Sequence, residues 1–126
     1  MNIPQQLLYT AEHEWVSINE DFATVGITDF AQSELGDIVY VETKSLGKNV
    51  TFNEIFGNVE AAKAASDLFM PIAGTIVEFN EELNNNPDLV NKDPYGSGWI
   101  IKVKLNTPID TNQLLSAENY LTLIKN

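Results

Sequence analysis

Short apolar runs separated by turn-forming residues constrain the fold of this chain more than any other feature. Runs with the length and composition of β-strands cover residues 14–18, 22–27, 37–42, 54–60, 74–79 and 98–105. The alternation is clearest in the last run, where Ile100, Lys102 and Lys104 oppose Trp99, Ile101, Val103 and Leu105. In the run 37–42, the same period places Ile38 and Tyr40 on one face, opposite Val39 and Val41. The pattern predicts a chain that folds mainly into β-strands.

Helices are predicted to be few and short. Thr28 is a candidate N-cap for a helix through Leu35, which Gly36 would end. Residues 80–86 suit a helical turn stopped by Pro87. Asp110 and Ser116 are candidate caps of two short helices near the C-terminus.

A weak internal repeat appears when the chain is shifted by about 38 residues, a spacing within the range of structural repeats. Residues 28–39 then lie over residues 66–77, and the pairs Asp29/Asp67, Gly36/Gly74, Ile38/Ile76 and Val39/Val77 are identical. The match predicts two similar strand units related by an approximate two-fold axis. It also places Lys63 near the end of the second unit.

Lys63 lies in the run EAAKAASD, residues 60–67, where alanine flanks it on both sides. The small neighbours leave its amine open to a modifying enzyme, and acylation would turn the side chain into an uncharged tether. Alanine, lysine and glutamate favour a helix over 60–65. A turn between two strands competes with that helix, because the run lies between two predicted strands and Pro71 follows.

Composition excludes several classes of function. With 126 residues, the chain is predicted to form a single domain over residues 1–126. Its net charge of −11, with seven basic residues against 18 acidic ones, opposes binding to nucleic acid or to anionic membranes. The charge serves either solubility or steering toward basic partner proteins. The start of the chain has no pattern typical of a secretory or transit peptide.

The chain lacks the usual means of catalysis. It has no cysteine and one histidine, and no serine lies in a recognisable triad setting. His13 is predicted to be structural. Residues 96–98 lack the spacing of a phosphate loop, and no cluster suggests a metal site. No catalytic residue and no metal ligand is therefore predicted, and a cofactor would have to supply the reactive atoms.

Four ordered blocks resemble the H protein family of the glycine cleavage system. They are YTAEHEWV at 9–16, GITDFAQSELGDIV at 26–39, EAAKAASDLFMPIAG at 60–74 and NKDPYGSGW at 91–99. The similarity runs from about Tyr9 to Ile124 without large gaps. Two departures are the alanines at 61 and 62, where the family commonly has serine and valine, and the lack of a leucine–proline pair near Lys44.

The resemblance implies a flattened barrel or sandwich of two antiparallel sheets with short, mainly C-terminal helices, and a hairpin rather than a helix at Lys63. It implies lipoic acid joined to Lys63 by an amide. A pyridoxal-phosphate glycine decarboxylase would load an aminomethyl group, a tetrahydrofolate-dependent aminomethyltransferase would take its methylene, and dihydrolipoyl dehydrogenase would reoxidise the dithiol. The chain would be a monomeric, non-catalytic carrier, modified by a lipoate ligase or lipoyl transferase. Its expected location is the bacterial cytoplasm, or the mitochondrial matrix if a transit peptide was removed.

Glu14 and Asp67 are candidates for holding the carried amine in a sheltered cleft. Each is acidic and lies in a matching block, and an ammonium group would form a charge-assisted hydrogen bond with either carboxylate. Replacing either by alanine should speed loss of the carried group. For Glu14, an ordinary surface charge is an equally good interpretation.

Several alternatives remain open from the sequence. An H-like protein that relays lipoyl groups to other complexes would need the same lysine and hairpin. A biotinyl carrier would have methionines where alanines flank Lys63, and lipoyl domains of 2-oxoacid dehydrogenases are shorter and tethered. An enzyme that forms a Schiff base on Lys63 would need the pKa of that lysine well below about 10.4, which Glu60 and Asp67 oppose.

Overall fold

A computed structural model, which describes residues 1–125, contains two antiparallel sheets. The strand order is β1-β2-β3-β9-β8-β5 in the six-stranded sheet and β4-β6-β7 in the three-stranded sheet. The strands are β1 Leu8–Tyr9, β2 Glu14–Asn19, β3 Phe22–Ile27, β4 Ile38–Thr43, β5 Asn49–Val50, β6 Ile55–Ala61, β7 Ala65–Phe69, β8 Gly74–Phe79 and β9 Ile101–Leu105. The predicted β-sandwich with short helices is confirmed.

Within the described residues 1–125, three short helices accompany the sheets: α1 Asp29–Leu35, α2 Leu89–Lys92 and α3 Ala117–Lys125. α1 begins as predicted, because Thr28 Oγ1 accepts a hydrogen bond from the Ala31 N–H (3.2 Å). It ends at Gly36, whose φ of 83° favours glycine. A 3₁₀ turn, Glu81–Asn84, confirms the predicted helical turn before Pro87. Within residues 1–125, no helix has the length and apolar character needed to cross a membrane.

The C-terminal helix prediction was half right. Ser116 caps α3, since the Asn119 N–H donates to its Oγ (3.1 Å). The helix predicted at Asp110 was wrong. There, the Asn112 N–H donates to the Asp110 carboxylate (2.9 Å) and forms a local turn that does not continue as a helix. The short polar side chain satisfies the same backbone group in either conformation, so the residue type alone did not distinguish them.

The main core lies between the two sheets and consists of interleaved aliphatic side chains. Its fully buried members include Val25, Val41, Phe56, Val59, Leu68, Ile76 and Val103. A second cluster packs α3 against the start of the chain and contains Ile3, Leu7, Tyr9, Trp15, Ala117 and Tyr120. Burial of this apolar surface is the dominant favourable contribution to folding.

Matching bulges in β4 and β8 account for part of the internal repeat. The register shifts between Ile38 and Tyr40 in β4, and at the equivalent Ile76 and Glu78 in β8. In both strands the isoleucine is buried, while the following valine, Val39 or Val77, is 55% or 48% exposed. The alternation predicted for residues 37–42 was right for Ile38 and Val39 but wrong beyond them, since Tyr40 is 45% exposed and Val41 is buried. The extra residue of the bulge moves the side chains that follow it to the other face. Before the bulges the two segments differ, since Asp29 begins a helix and Asp67 lies in a strand.

Gly57 allows β6 to approach β4 closely. A Cβ atom at this position would overlap the Glu42 carbonyl oxygen of the paired strand, and backbone atoms relax little. We expect Gly57→Ala to lower the free energy of unfolding by about 2 kcal/mol, as in overpacked sites. Urea denaturation tests this prediction, with Gly47→Ala as a comparison at a position where nothing lies near the added Cβ but φ is positive. Equal or smaller loss in Gly57→Ala would contradict the close approach.

Candidate functional site

Lys63 lies at the tip of the hairpin formed by β6 and β7. The strands pair in register from Glu60 with Ala65 to Gly57 with Leu68. The Ala61 N–H donates to the Ala64 carbonyl oxygen (2.7 Å) and closes the turn around Lys63. The side chains of Ala62, Lys63 and Ala64 are exposed. The hairpin expected from the resemblance is confirmed, and the helix favoured by local propensity is not formed.

Tertiary pairing explains why the hairpin wins over the helix. β6 is the central strand of its sheet, between β4 and β7, so its backbone groups are bonded on both sides. Val59, one of its members, is buried in the core. The Ala62 N–H adds a bond to the Asp37 carbonyl oxygen (2.9 Å). A helix over 60–65 would lose these contacts, which outweigh propensity differences of a few tenths of a kcal/mol per residue.

A cleft of about 230 Å³ lies beside this hairpin. Its apolar walls come from β3, α1, β6 and β7, through Ile27, Phe30, Leu35, Val59 and Leu68. Acidic side chains, Glu12, Glu14, Glu34 and Asp67, border the same space. The cleft therefore combines apolar walls with carboxylates. This combination suits a bound aliphatic group that carries a positive charge at its end.

Glu14 is the buried carboxylate of this cleft, and only 1% of it is exposed. Its Oε1 accepts a hydrogen bond from Thr10 Oγ1 (2.6 Å), and its Oε2 accepts one from the Phe69 N–H (3.2 Å). Burial raises the pKa of Glu14 to about 7, although these two hydrogen bonds oppose the rise. Two hydrogen bonds leave further acceptor capacity on a carboxylate, so Glu14 can still bind a cationic donor.

Asp67 borders the cleft differently from Glu14. It lies in the edge strand β7, paired with Asn58, and its side chain is exposed. It also borders a second, larger groove of about 480 Å³, together with Lys44 and Ser45. The structure thus brings both predicted carboxylates to one cleft, with Glu14 inside it and Asp67 at its rim.

Sequence reasoning missed the groups that hold Glu14. Thr10 lies four residues before Glu14 in the first matching block, and its Oγ1 also accepts from the Glu14 N–H (3.1 Å). The Phe69 N–H is available because β7 is an edge strand, so alternate backbone groups point away from β6. The sequence shows a threonine four residues before Glu14, so this hydrogen-bond partner could have been predicted. The Phe69 N–H could not, because its availability depends on the order of strands in the sheet.

The block at 91–99 does not line the cleft but forms hydrogen bonds to elements that do. Asn91 Oδ1 accepts from the Ile38 N–H (2.9 Å), and its Nδ2 donates to Gln32 Oε1 and the Gly36 carbonyl oxygen, each at 2.9 Å. These bonds join the end of α1 to the start of β4. Trp15 Nε1 also donates to the Pro94 carbonyl oxygen (3.0 Å), which ties β2 to the same loop.

Comparison with known proteins decides the family. The family model described as "Glycine cleavage H-protein" matches residues 7–126. The chain belongs to this family. Members of the glycine cleavage H-protein family are the lipoyl-bearing carrier component of the glycine cleavage system.

Curated relatives match over nearly their full lengths. A glycine cleavage system H protein of Chlorobaculum tepidum is 56% identical over 126 residues, with 98% of each chain covered. The H protein of Bacteroides thetaiotaomicron is 52% identical over 124 residues, again with 98% of each chain covered. A crystal structure of the H protein from Mycobacterium marinum superposes with a TM-score of 0.89 at 37% identity, covering 98% of this chain and all of the other.

The site residues fit the lipoyl group that the H-protein family carries. Such a group needs an accessible primary amine for an amide bond, and Lys63 is exposed between alanines at a turn. It also needs shelter for a long aliphatic chain, and the apolar walls beside the hairpin provide one. Among residues 1–125, no group of three or more His, Asp or Glu side chains is arranged to hold a metal ion.

Proposed function

We propose that Lys63 is the lipoyl attachment site of this chain, and that the cleft containing Glu14 holds the amine which the chain carries through the glycine cleavage system. The observation that supports this most directly is the position of an exposed lysine hairpin beside a cleft with a buried carboxylate. The lipoyl group, when bound, supplies a disulfide that accepts an aminomethyl group and is thereby reduced. Residues 1–126 act as a single, monomeric carrier domain without catalytic residues.

The hairpin and the cleft are close enough to work together. Asp67 at the rim follows Lys63 by four residues, so their Cα atoms are separated by at most about 13 Å of extended strand. A lysine side chain extended by an aliphatic acyl group spans such a distance. The hairpin tip is exposed at Ala62, Lys63 and Ala64, so that partner enzymes reach the arm when it leaves the cleft.

Glu14 binds the amine, and the apolar walls exclude water from it. An ammonium group beside Glu14 forms a charge-assisted hydrogen bond, which is stronger in a site shielded from solvent. Its positive charge also favours the ionised form of Glu14 and lowers the pKa of that carboxyl from about 7. Phe30 and Leu35 from α1 and Leu68 from β7 cover the space beside the carboxylate and slow hydrolysis of the carried group.

The partners are the other components of the glycine cleavage system. We assign three of them by chemistry: the pyridoxal-phosphate glycine decarboxylase, the tetrahydrofolate-dependent aminomethyltransferase and dihydrolipoyl dehydrogenase. A lipoate ligase or lipoyl transferase attaches lipoic acid to Lys63. The proposal places the protein in the bacterial cytoplasm. Steering by the net charge of −11 predicts that association with these enzymes weakens as salt increases.

Lipoylation in vitro tests the proposal. We expect a lipoate ligase with lipoic acid and ATP to add one acyl group to the purified chain, and peptide mapping to place it on Lys63. Intact-mass measurement before and after treatment gives the stoichiometry. Modification at another lysine would refute the attachment site. A glycine decarboxylase with labelled glycine then separates the two carrier functions, since a chain that only relays lipoyl groups to other complexes would take up no label.

A further inference from the structure

The backbone at His13 is held in an uncommon conformation directly before Glu14. Its φ is 71°, in the left-handed region that few non-glycine residues adopt. Such a residue stays there only when its surroundings hold it. The His13 carbonyl oxygen accepts from the Thr28 N–H (3.0 Å), and its N–H donates to the Thr10 carbonyl oxygen (3.1 Å). Because Glu14 is the next residue, the conformation of His13 decides where that carboxylate points.

Tyr120 of the C-terminal helix α3 contacts both His13 and Thr28. Its Oη lies 2.8 Å from His13 Nδ1 and 2.7 Å from Thr28 Oγ1. Tyr120 and Thr28 are completely buried. The Tyr120 ring stacks on Tyr9, with 4.8 Å between centroids and 8° between planes. The hydroxyl therefore has a fixed position between β2 and the N-terminus of α1.

Only one direction of donation between Thr28, Tyr120 and His13 gives every hydroxyl hydrogen an acceptor among the described residues. Thr28 Oγ1 accepts from the Ala31 N–H (3.2 Å), and Tyr120 Oη is the one remaining partner of its hydroxyl among the described residues. The Thr28 hydroxyl hydrogen therefore goes to Tyr120 Oη, and Tyr120 donates to His13 Nδ1. His13 must then be neutral, with its proton on Nε2. A protonated His13 would reverse the last two bonds. The Thr28 hydroxyl hydrogen would then have no acceptor among the described residues.

We propose that Tyr120 is a positioning residue of the carrier cleft, which holds His13 as the neutral Nε2–H tautomer and thereby fixes Glu14 and α1 on the two sides of the bound amine. The role in the cleft rests on the function proposed above, whereas the tautomer does not. Phe30 of α1 packs against His13, with 5.0 Å between the ring centroids, and both residues border the cleft.

The surroundings of His13 favour its neutral form on balance, because burial outweighs the nearby carboxylates. Burial lowers the pKa of His13, and this outweighs the opposite influence of Glu12 and Glu34. Glu14 follows it in β2, and Tyr120 faces it from α3 with a pKa raised by burial to about 12, so this tyrosine keeps its proton. Protonation of His13 at lower pH would disturb the hydrogen-bond chain and the cleft together.

Nitrogen NMR of the unmodified chain tests the tautomer directly, because His13 is the single histidine. We expect the ¹⁵N shifts of the wild type to show an unprotonated Nδ1 and a protonated Nε2 at neutral pH. Tyr120→Phe keeps the stacked ring but removes the donor. In that variant, the Nδ1 chemical shift should move toward the value of an imidazole that exchanges between both neutral tautomers. The His13 pKa should rise by about 0.5–1 unit.

Tyr9→Phe is the matched control. It removes an equally buried hydroxyl from the same ring stack, where Tyr9 Oη donates to the Pro4 carbonyl oxygen (2.6 Å). Its His13 signals should stay as in the wild type. Thr28→Ser, which keeps the hydroxyl, should also preserve them, whereas Thr28→Val should not. Equal His13 signals in Tyr120→Phe and Tyr9→Phe would overturn the proposed tautomer.

A retention measurement tests the role in the cleft. Lipoylated protein is loaded by a glycine decarboxylase with labelled glycine, and loss of label is followed over time. Tyr120→Phe should lose label about two- to tenfold faster than the wild type, and Tyr9→Phe at the wild-type rate. Equal rates despite a changed His13 signal would refute the positioning role. Failure to load the wild type would instead refute the carrier function, with the NMR result unaffected.

Discussion

Lys63→Arg is expected to abolish lipoylation and transfer of the carried group, with no loss of the fold. Arginine keeps the positive charge and the length of the side chain, but its guanidinium stays protonated and does not form the amide. The side chain is exposed at a turn, so the free energy of unfolding should change by less than about 0.5 kcal/mol. Intact mass after ligase treatment and uptake of label from glycine measure the two losses.

Lys48→Arg is the matched control for this variant. Lys48 is likewise exposed and lies in the turn before β5. It should be lipoylated to the wild-type extent and carry label at the wild-type rate. Any acyl group found on Lys63→Arg, or any label transferred by it, would refute the attachment site.

Glu14→Gln is expected to speed the loss of the carried amine by about 10- to 100-fold. The amide keeps the size of the side chain and an acceptor for the Phe69 N–H, but it removes the charge that binds the ammonium group. A hydrogen bond to a charged group contributes about 1.5–3 kcal/mol, which corresponds to that range. Loss of label from loaded protein at pH 8 measures the effect.

Asp67→Asn removes an equal charge at the exposed rim, and it should change the rate by less than about fivefold, as for exposed ion pairs. The same size of effect at both positions would contradict the assignment of Glu14 as the binding carboxylate. A wild-type rate in Glu14→Gln would remove this residue from the mechanism.

The raised pKa of Glu14 makes an independent prediction about stability. Folding raises the pKa from 4.5 to about 7, so the protonated carboxyl is favoured in the folded chain. Its contribution to the free energy of unfolding is fully present below about pH 4.5 and is lost as the pH rises through about 7. This loss amounts to about 3 kcal/mol at pH 8.

Glu14→Gln should therefore be more stable than the wild type at pH 8, by about 1–3 kcal/mol, although it retains the amine less well. Urea denaturation at pH 5 and pH 8 measures the difference. A pH dependence that is the same in both proteins would show that Glu14 does not titrate in this range. Gain of stability with loss of retention would be the expected trade-off at a functional site.

The fold was largely predictable where a residue's role depends on its neighbours in sequence. The alternation over 98–105 predicted β9 from Ile101 onward, and Thr28 and Gly36 predicted the ends of α1. Ile100 was predicted wrongly, because it precedes the strand and is buried instead of sharing the face of the two lysines. The errors at Asp110 and at Tyr40 and Val41 have one origin. A local turn and a helix start satisfy the same backbone groups, and a bulge is specified by the partner strand, so neither is determined by the residues themselves.

The candidate site shows the same division. By itself, the sequence determined the chemistry available: an amine between alanines, acidic residues in matching blocks and no cysteine. Tertiary structure decided that 60–65 is a hairpin, because pairing with β4 and burial of Val59 outweigh helix propensity. It also decided that Glu14 is buried with a raised pKa while Asp67 is exposed, since residues far apart in the chain surround the first and leave the second at a sheet edge.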